Sequence, residues 1–234
     1  MTFNDYILNP MGKSNAVLSA AAREAQRAIY SKKFDNILLR ENGKIDYYLY
    51  KGKGKTPEYY THIKVPSEVV PNFYYDVVIK FIGNTSVSAN LSSLDKYDVQ
   101  FYSNDPAFVY TYAYVFQKKG LFIKELASKM SRTALRVPAK EKNPENMVGY
   151  VKSLYFAYLF MKQRGLFNLL KFSGVPTIDL KSLTGNIMDA DTKVRKREEE
   201  GAKVSKKRKD AVSKSDMNRM KRAGMSDQAT SNFN

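Results

Sequence analysis

The stretch Phe73-Tyr-Tyr-Asp-Val-Val-Ile-Lys-Phe-Ile82 alternates large apolar side chains with other residue types. Because successive side chains of a strand point to opposite faces, this period of two predicts a β-strand. Its apolar face would comprise Phe73, Tyr75, Val77, Ile79 and Phe81. After a polar segment the pattern returns at Tyr97, Val99 and Phe101, which predicts a second strand of the same sheet.

Upstream of this stretch lies the pattern of a β-hairpin. Ile37-Leu-Leu-Arg40 and Ile45-Asp-Tyr-Tyr-Leu-Tyr50 flank Asn42-Gly43. Asn-Gly supplies the positive φ angles that a tight hairpin turn needs. Tyr59-Tyr-Thr-His-Ile-Lys64 also reads as a strand, with His62 half-buried in it. Together these segments predict an antiparallel or mixed sheet of at least four strands.

Helices are predicted around the sheet. Ser14 stands as a capping residue before 15–30, where Leu18, Ala21, Ala25 and Ile29 recur at helical spacing. Asn143-Pro-Glu145 opens a second periodic segment that ends near Gly165. Its apolar face consists of Met147, Val151, Leu154, Tyr158 and Met161. The middle of this segment, 154–160, is apolar nearly all round and is expected to be buried.

Residues 106–119 carry conflicting signals. Asn104-Asp-Pro106 resembles a helix start and Lys118-Lys-Gly120 a helix end, whereas the aromatic and β-branched residues between them favour a strand. The punctuation at the two ends favours a helix.

The composition changes near the carboxyl terminus. Residues 192–234 contain 13 Lys or Arg and 6 Asp or Glu, with Phe233 as the sole aromatic residue and no Leu or Ile. Such a stretch cannot build a hydrophobic core of its own. The sequence therefore predicts an α+β core domain at 1–185, followed by a basic, partly helical arm at 186–234.

The charge of the whole chain favours polyanionic partners. Its 39 Lys or Arg and 23 Asp or Glu give a net charge of +16. Nucleic acid, an acidic protein surface and an anionic membrane surface all suit this charge, and a plainly solvated basic surface is the alternative. No apolar run approaches the roughly 18 residues of a membrane span, and Met1–Asn15 lacks a secretory pattern. We therefore expect no membrane partner and synthesis in a cytoplasm.

Several classes of chemistry are disfavoured by the residues present. The chain contains no Cys and one His, which excludes thiolate metal sites and a site with several histidines. Gly52-Lys-Gly-Lys-Thr56 lacks the first glycine of a phosphate-binding loop, and Pro57 follows where a helix should begin. Asp189 and Asp191 are too few to fix a metal ion. We expect no cofactor, no small-molecule substrate and no catalytic residue, hence no enzyme.

Two groups of residues are candidates for binding. The first contains basic residues that could contact a polyanion or a partner: Lys206, Lys207, Arg208 and Lys209 in the arm, and Lys51, Lys53 and Lys55 near the hairpin. The second contains tyrosines that could form a protein interface: Tyr47, Tyr48, Tyr50, Tyr59 and Tyr60. Interleaved tyrosines and lysines could instead stack on bases and neutralise phosphates. The protein interface is the favoured interpretation.

The order of these pieces resembles that of tailed-bacteriophage virion structural proteins. The resemblance rests on the alanine-rich first helix, the tyrosine-rich sheet, the stretch Tyr97–Phe116 and the lysine-rich arm. It implies a non-catalytic subunit of the neck, head-tail connector or tail, located in the virion and made in the host cytoplasm. Its partners would be other particle subunits, with a homo-oligomer expected and DNA contact possible through the arm. The alternative is a nucleic-acid-binding accessory protein that uses the arm and the Tyr/Lys-rich loop.

Overall fold

A computed structural model of the protein describes residues 1–8, 20–83 and 92–222. The chain forms two compact units, Met1–Val194 and Arg195–Asn234. The described part of the first unit has an α+β architecture, with helices flanking a mixed sheet, as the sequence predicted.

The sheet has five strands in the order β4-β3-β2-β1-β5. Their bounds are β1 Tyr47–Gly52, β2 Glu58–Pro66, β3 Tyr74–Ile82, β4 Asp98–Ser103 and β5 Thr177–Ile178. β1 to β4 form an antiparallel meander, and β5 adds a short parallel pairing to β1. The sequence therefore predicted β3 and β4 at nearly their observed positions.

The α-helices of the described part are α1 Phe3–Leu8, α2 Ala20–Arg40, α3 Ala113–Lys118, α4 Arg132–Arg136, α5 Lys152–Gln163 and α6 Ala190–Arg222. Short 3₁₀ segments lie at 94–96, 124–129, 169–172 and 180–186. The π-helix Phe108–Tyr112 runs directly into α3, so the helix predicted for 106–119 is confirmed. Gly120, at φ +70°, ends it.

The first face of the sheet, which carries Val77, Ile79 and Phe81, packs against α1 and α5. The ring of Phe3 lies 5.1 Å from that of Phe101 and 6.4 Å from that of Phe81. A reciprocal cap begins α1, because Thr2 Oγ1 accepts the Asp5 N–H and Asp5 Oδ2 accepts the Thr2 N–H. These backbone and side-chain hydrogen bonds from Thr2 lower the pKa of Asp5.

The first predicted hairpin strand is wrong, because Ile37–Arg40 is the last turn of α2. Asn42 and Gly43 do have positive φ angles of 51° and 71°. They close the helix instead of a hairpin, since the Gly43 N–H donates to Leu38 O over 2.7 Å. Asn-Gly satisfies either geometry, because a helix end and a hairpin turn both use positive φ angles.

The buried side of α2 also differs from the prediction. Ala21, Ala25 and Ile29 are exposed, Ile29 at 55%. The helix instead buries Phe34 and Ile37, and the Phe34 ring lies 5.6 Å from the Phe156 ring of α5. Aromatic side chains bury more apolar area than alanines, which explains why the later turns face the core. Ser14 and Leu18, the predicted start of this helix, lie outside the described residues.

The helix expected from Asn143 begins only at Lys152, in α5. The Asn143 side chain holds a turn instead, because its Oδ1 accepts the Met147 N–H and its Nδ2 donates to Met147 O. The predicted end is confirmed, since Gly165 has φ +64° just after α5. Most of 154–160 is buried, as its apolar composition indicated.

Candidate interaction surface on strand β1

Strand β1 carries three of the five candidate tyrosines, and its partner β2 carries the other two. Directly opposed residues share a face of the sheet. Lys51 lies on the same face of β1 as Tyr47 and directly opposite Tyr59. Tyr59 therefore shares the first face of the sheet with Tyr47. Tyr50 lies opposite Tyr60, and both share the second face with Tyr48. The hairpin β1–β2 therefore divides the predicted tyrosine group between two faces.

Tyr47 and Tyr48 are the most exposed of the five. Their exposed fractions are 41% and 42%. The Tyr47 ring lies edge-on to Phe160 at 5.5 Å, and the Tyr48 ring lies 5.6 Å from His62. Each ring thus has an aromatic neighbour within the chain and still remains exposed, an arrangement suited to contact with another molecule.

Tyr59 and Tyr60 pack mainly inside the chain. The Tyr59 ring meets Tyr97 and Phe172 edge-on at 5.8 and 5.2 Å. Tyr60 is 3% exposed, and its hydroxyl donates to Glu58 Oε2 over 2.5 Å. Burial, with this hydrogen bond, raises the pKa of Tyr60 far above its ordinary value. The prediction that Tyr60 forms an intermolecular surface is therefore corrected, because its side chain is already enclosed.

Tyr50 has an intermediate position. It is half-buried, and burial raises its pKa. The exposed part of the tyrosine group is therefore concentrated on Tyr47 and Tyr48, at the start of β1.

The main chain of β1 adds to this surface. Lys64 N–H donates to Asp46 O, so Asp46, Tyr48 and Tyr50 direct their backbone groups toward β2. Tyr47, Leu49 and Lys51 direct theirs outward, and the Lys51 N–H accordingly donates to Pro176 O beside β5. Pairing with β5 involves only Lys51 and Gly52. No described residue pairs as a strand with Tyr47 or Leu49 on that outer side.

The three lysines of the hairpin lie where β1 turns into β2. Lys51 is half-buried, whereas Lys53 and Lys55 are exposed. Gly52, at the base of this loop, leaves no room for a side chain. An added Cβ would lie 2.7 Å from Tyr60 Oη and 2.8 Å from Glu58 Cβ. β2 follows the loop directly, so the strand-loop-helix arrangement of a phosphate-binding loop is not formed here.

The basic run of the arm lies in α6. Lys206 and Lys207 are exposed on this helix. The side chains of Arg208 and Lys209 lie outside the described part. Within the second unit, Arg195 Nε lies 3.9 Å from Glu199 Oε1, and Lys203 Nζ lies 2.7 Å from Glu200 Oε1. Local ion pairs of this kind contribute little to stability when exposed.

The sequence did not reveal an ionic cluster on the second face of the sheet. Lys80 Nζ lies 3.0 Å from Glu58 Oε1 and 2.7 Å from Glu125 Oε1. Burial alone would lower the pKa of Lys80, but hydrogen bonds and charge from the two carboxylates raise it. Burial likewise opposes ionisation of Glu125, yet the hydrogen bond from Lys80 lowers its pKa.

A second polar network surrounds the one histidine. Nε2 of His62 lies 3.0 Å from Asp76 Oδ1, and Asn104 donates to Asp76 Oδ2 over 2.8 Å. His62 is 1% exposed, which corrects the half-buried position expected for it. The alternation in β3 already assigned Asp76 and Lys80 to the face opposite Val77, but gave no sign that this face would be covered.

A surface cavity of about 180 Å³ opens beside the π-helix, between Val109, Tyr114, Ala134 and Pro138. Its lining is mostly apolar, with hydroxyl groups from Thr111 and Ser131 among the polar contributions. This lining offers van der Waals contact without a buried charge to orient a ligand.

Residues 1–8, 20–83 and 92–222 contain neither a metal-binding cluster nor a membrane-spanning helix. No group of three or more His, Cys, Asp or Glu in those ranges is placed to hold a metal ion. Asp189 Oδ1 instead lies 3.5 Å from Lys129 Nζ. No helix in the same ranges is both long enough and apolar enough to cross a membrane.

Comparison with protein-family models, with curated proteins and with solved structures found no match to this chain.

Proposed function

We propose that this protein is a non-catalytic structural subunit of a tailed-bacteriophage particle, in the neck, head-tail connector or tail. The observation that carries the proposal is the outer edge of β1. There Tyr47 and Leu49 direct backbone groups outward, beside the exposed rings of Tyr47 and Tyr48. An uncovered strand edge is a template for pairing with another chain. Tyrosines beside it supply apolar area together with a polar hydroxyl, a combination that is enriched at protein interfaces.

The second unit supports an assembly role by its charge. α6 extends over 33 residues and exposes Lys206 and Lys207. A long basic helix can hold an acidic neighbour or the DNA phosphate backbone through Coulomb attraction. In the proposed particle this arm clamps a neighbouring subunit or DNA.

A nucleic-acid-binding accessory protein is the second candidate. It is favoured by the exposed Lys53 and Lys55 of the hairpin loop, which follow the exposed Tyr48 in β1. Aromatic rings and lysines on one surface can bind single strands by base stacking and phosphate neutralisation.

Sedimentation of the pure protein at about 0.1 and 0.5 M salt, with and without DNA, separates the two candidates, since high salt screens exposed charges. The structural proposal expects a defined oligomer that survives high salt without DNA. A subunit that assembles only on its neighbour's surface would instead stay monomeric when pure, both with and without DNA. A protein that stays monomeric at both salts, and shifts only with DNA, supports the second candidate.

Purified particles from a producing culture supply the decisive measurement. Quantitative mass spectrometry should find this chain at a fixed copy number relative to the other particle proteins, because closed symmetric assemblies have defined stoichiometry. A chain that is abundant in infected cells but absent from particles that retain their tails would overturn the structural proposal.

A further inference from the structure

We infer that the outer edge of β1 binds an extended, acidic segment of a neighbouring chain, which adds to the sheet as a further strand. In the proposed particle this neighbour is another subunit, and to that extent the inference rests on the proposed function. The geometry of the binding edge stands independently of it.

The two edges of the sheet differ in how far their backbone groups are hydrogen-bonded within the chain. On the β4 side, Val99 N–H donates to Met1 O and Phe101 N–H donates to Leu121 O, while Phe101 O accepts the Ile123 N–H. The β4 edge is therefore satisfied internally. On the β1 side, β5 satisfies only the end of the strand, at Lys51 and Gly52. The open length is Tyr47–Tyr50.

This open length lacks the usual protection of an edge strand. Natural sheets block exposed edges with proline, with lysine inside the strand or with a bulge. Tyr47-Tyr-Leu-Tyr50 contains neither proline nor charge, and its pairing to β2 is continuous. An extended apolar edge kept in this form is suited to accept a strand.

The charges around the edge identify the chemistry of the partner. Exposed Lys44 precedes the open length, and Lys51 and Lys53 follow it. Arg164 lies alongside, because its Nη2 donates to Gly43 O over 2.6 Å and its guanidinium lies 5.7 Å from the Phe160 ring. Exposed Asp46 is the one carboxylate within 44–53.

These charges favour an acidic partner over a second copy of the chain. Two copies paired along this edge would bring their lysines together, and like charges placed in proximity are unfavourable. An acidic segment would meet complementary charge at both ends of the open length.

The side chains beside the edge define what the added strand presents. Successive residues of that strand would lie alternately next to Tyr47 and Leu49 on one face and next to Tyr48 and Tyr50 on the other. Apolar residues would pack beside the partly buried Leu49 and the Tyr47–Phe160 pair. Carboxylates on the alternate positions would lie on the Tyr48 face, where Lys64 Nζ lies 5.9 Å from the Tyr48 ring.

The test uses capped peptides of about eight residues, a typical strand length, with alternating valine and glutamate or alternating valine and lysine. Fluorescence anisotropy at low salt measures their binding to the full chain. We expect the glutamate peptide to bind at least about tenfold more tightly than the lysine peptide. Hydrogen exchange should show new protection of the Tyr47 and Leu49 amides when the glutamate peptide binds.

Leu49→Pro and Leu49→Ala form a matched pair. Both lose the half-buried leucine side chain, but only proline removes the outward N–H, and proline is tolerated in strands where that group does not serve the ladder. We expect Leu49→Ala to retain binding within about threefold, and Leu49→Pro to lose about tenfold relative to Leu49→Ala. Circular dichroism checks that both variants fold, and the exchange measurement on the unmodified chain does not depend on either.

Equal binding of the two peptides, or equal binding to the two variants, would overturn the inference. Strong protection of the Tyr47 and Leu49 amides in the isolated monomer would also overturn it, because the edge would then be occupied internally. Protection that appears only as protein concentration rises would assign the edge to a second copy. Presence of the chain in particles without peptide binding would remove this inference alone. Binding without presence in particles would remove only the proposed function.

Discussion

His62 Nε2 lies 3.0 Å from Asp76 Oδ1, with both side chains buried on the second face of the sheet. Burial alone would raise the pKa of Asp76, but the hydrogen bonds and charge from His62 and the amide of Asn104 lower it below its ordinary value of 3.8. A buried carboxylate held in this way stabilises the fold only while it is ionised.

The sign of the pH dependence follows from the lowered pKa. Near and below pH 3.8 the unfolded chain binds a proton that folded Asp76 resists, so this stabilisation is present above that pH and is lost as pH falls below it. Asp76→Asn should cost about 1 to 3 kcal/mol at pH 7 and should reduce the acid sensitivity of the unfolding free energy. Urea unfolding across pH measures both, with exposed Asp35→Asn as the control. Equal acid sensitivity in Asp76→Asn and the parent chain would contradict this account.

Lys80 provides a second test of the same face. Lys80→Met leaves Glu58 and Glu125 facing each other without their shared cation, which should cost about 1 to 3 kcal/mol of unfolding free energy, because both carboxylates keep some contact with water. Replacing both carboxylates as well, with Glu58→Gln and Glu125→Gln, should recover part of this loss. Chemical denaturation measures the set, with exposed Lys140→Met as the control. Additive losses in the triple variant would show that the cluster does not act as a unit.

Gly52 tests the close approach beneath the hairpin loop. In Gly52→Ala the new Cβ would meet Tyr60 Oη at 2.7 Å and Glu58 Cβ at 2.8 Å, so the hairpin must shift. We expect a loss of about 1 to 3 kcal/mol. Gly54→Ala is the matched control, since the nearest atom there, Thr56 O, lies 3.6 Å away. Thermal unfolding that places both variants at the same midpoint would refute the close packing.

The sequence predicts the elements that depend on neighbouring residues, and it misses those that depend on contacts between distant segments. The alternation of 73–82 and the punctuation at Pro106 and Gly120 are local signals, and each corresponds to an observed element. Asn42-Gly43 fixed the backbone dihedrals but not the element, because a helix end and a hairpin turn both require positive φ. Only the packing of Phe34 against Phe156 distinguishes the two.

The candidate surface shows the same division. The tyrosine pattern indicated an interface, yet it could not distinguish Tyr47 from Tyr60, which are 41% and 3% exposed. Tyr60 donates to Glu58, and Lys80 Nζ lies 5.9 Å from its ring. Lys80 is in turn paired with Glu125, which lies far along the chain. The polar clusters at Asp76 and Lys80 were missed because each also needs a partner from a later segment, Asn104 or Glu125, whose position the strand pattern does not give.

Gly43 gives a direct test of the helix end. Gly43→Val must hold a β-branched residue at φ 71°, which should cost about 1 to 3 kcal/mol of unfolding free energy. Gly185→Val is the comparison, because nothing lies within 4 Å of an added Cβ there and its φ is not in the left-handed range. Denaturant midpoints measure both. A smaller loss at Gly43 than at Gly185 would argue against the left-handed helix end.

The boundary between the two units of the chain lies after Val194. Val194 is 5% exposed, and Lys193 Nζ lies 4.7 Å from the Phe73 ring, so both residues contribute to the first unit. Deleting 195–234 should therefore leave the thermal midpoint of the first unit nearly unchanged. Deleting 192–234 should lower it by about 3 to 8 °C, since burial of a valine side chain contributes about 1.5 to 3 kcal/mol. Calorimetry of the two truncations differs only by the residues 192–194. Equal midpoints would place the functional boundary before residue 192, whereas a large loss in the shorter deletion would show that the arm is needed for the stability of the first unit.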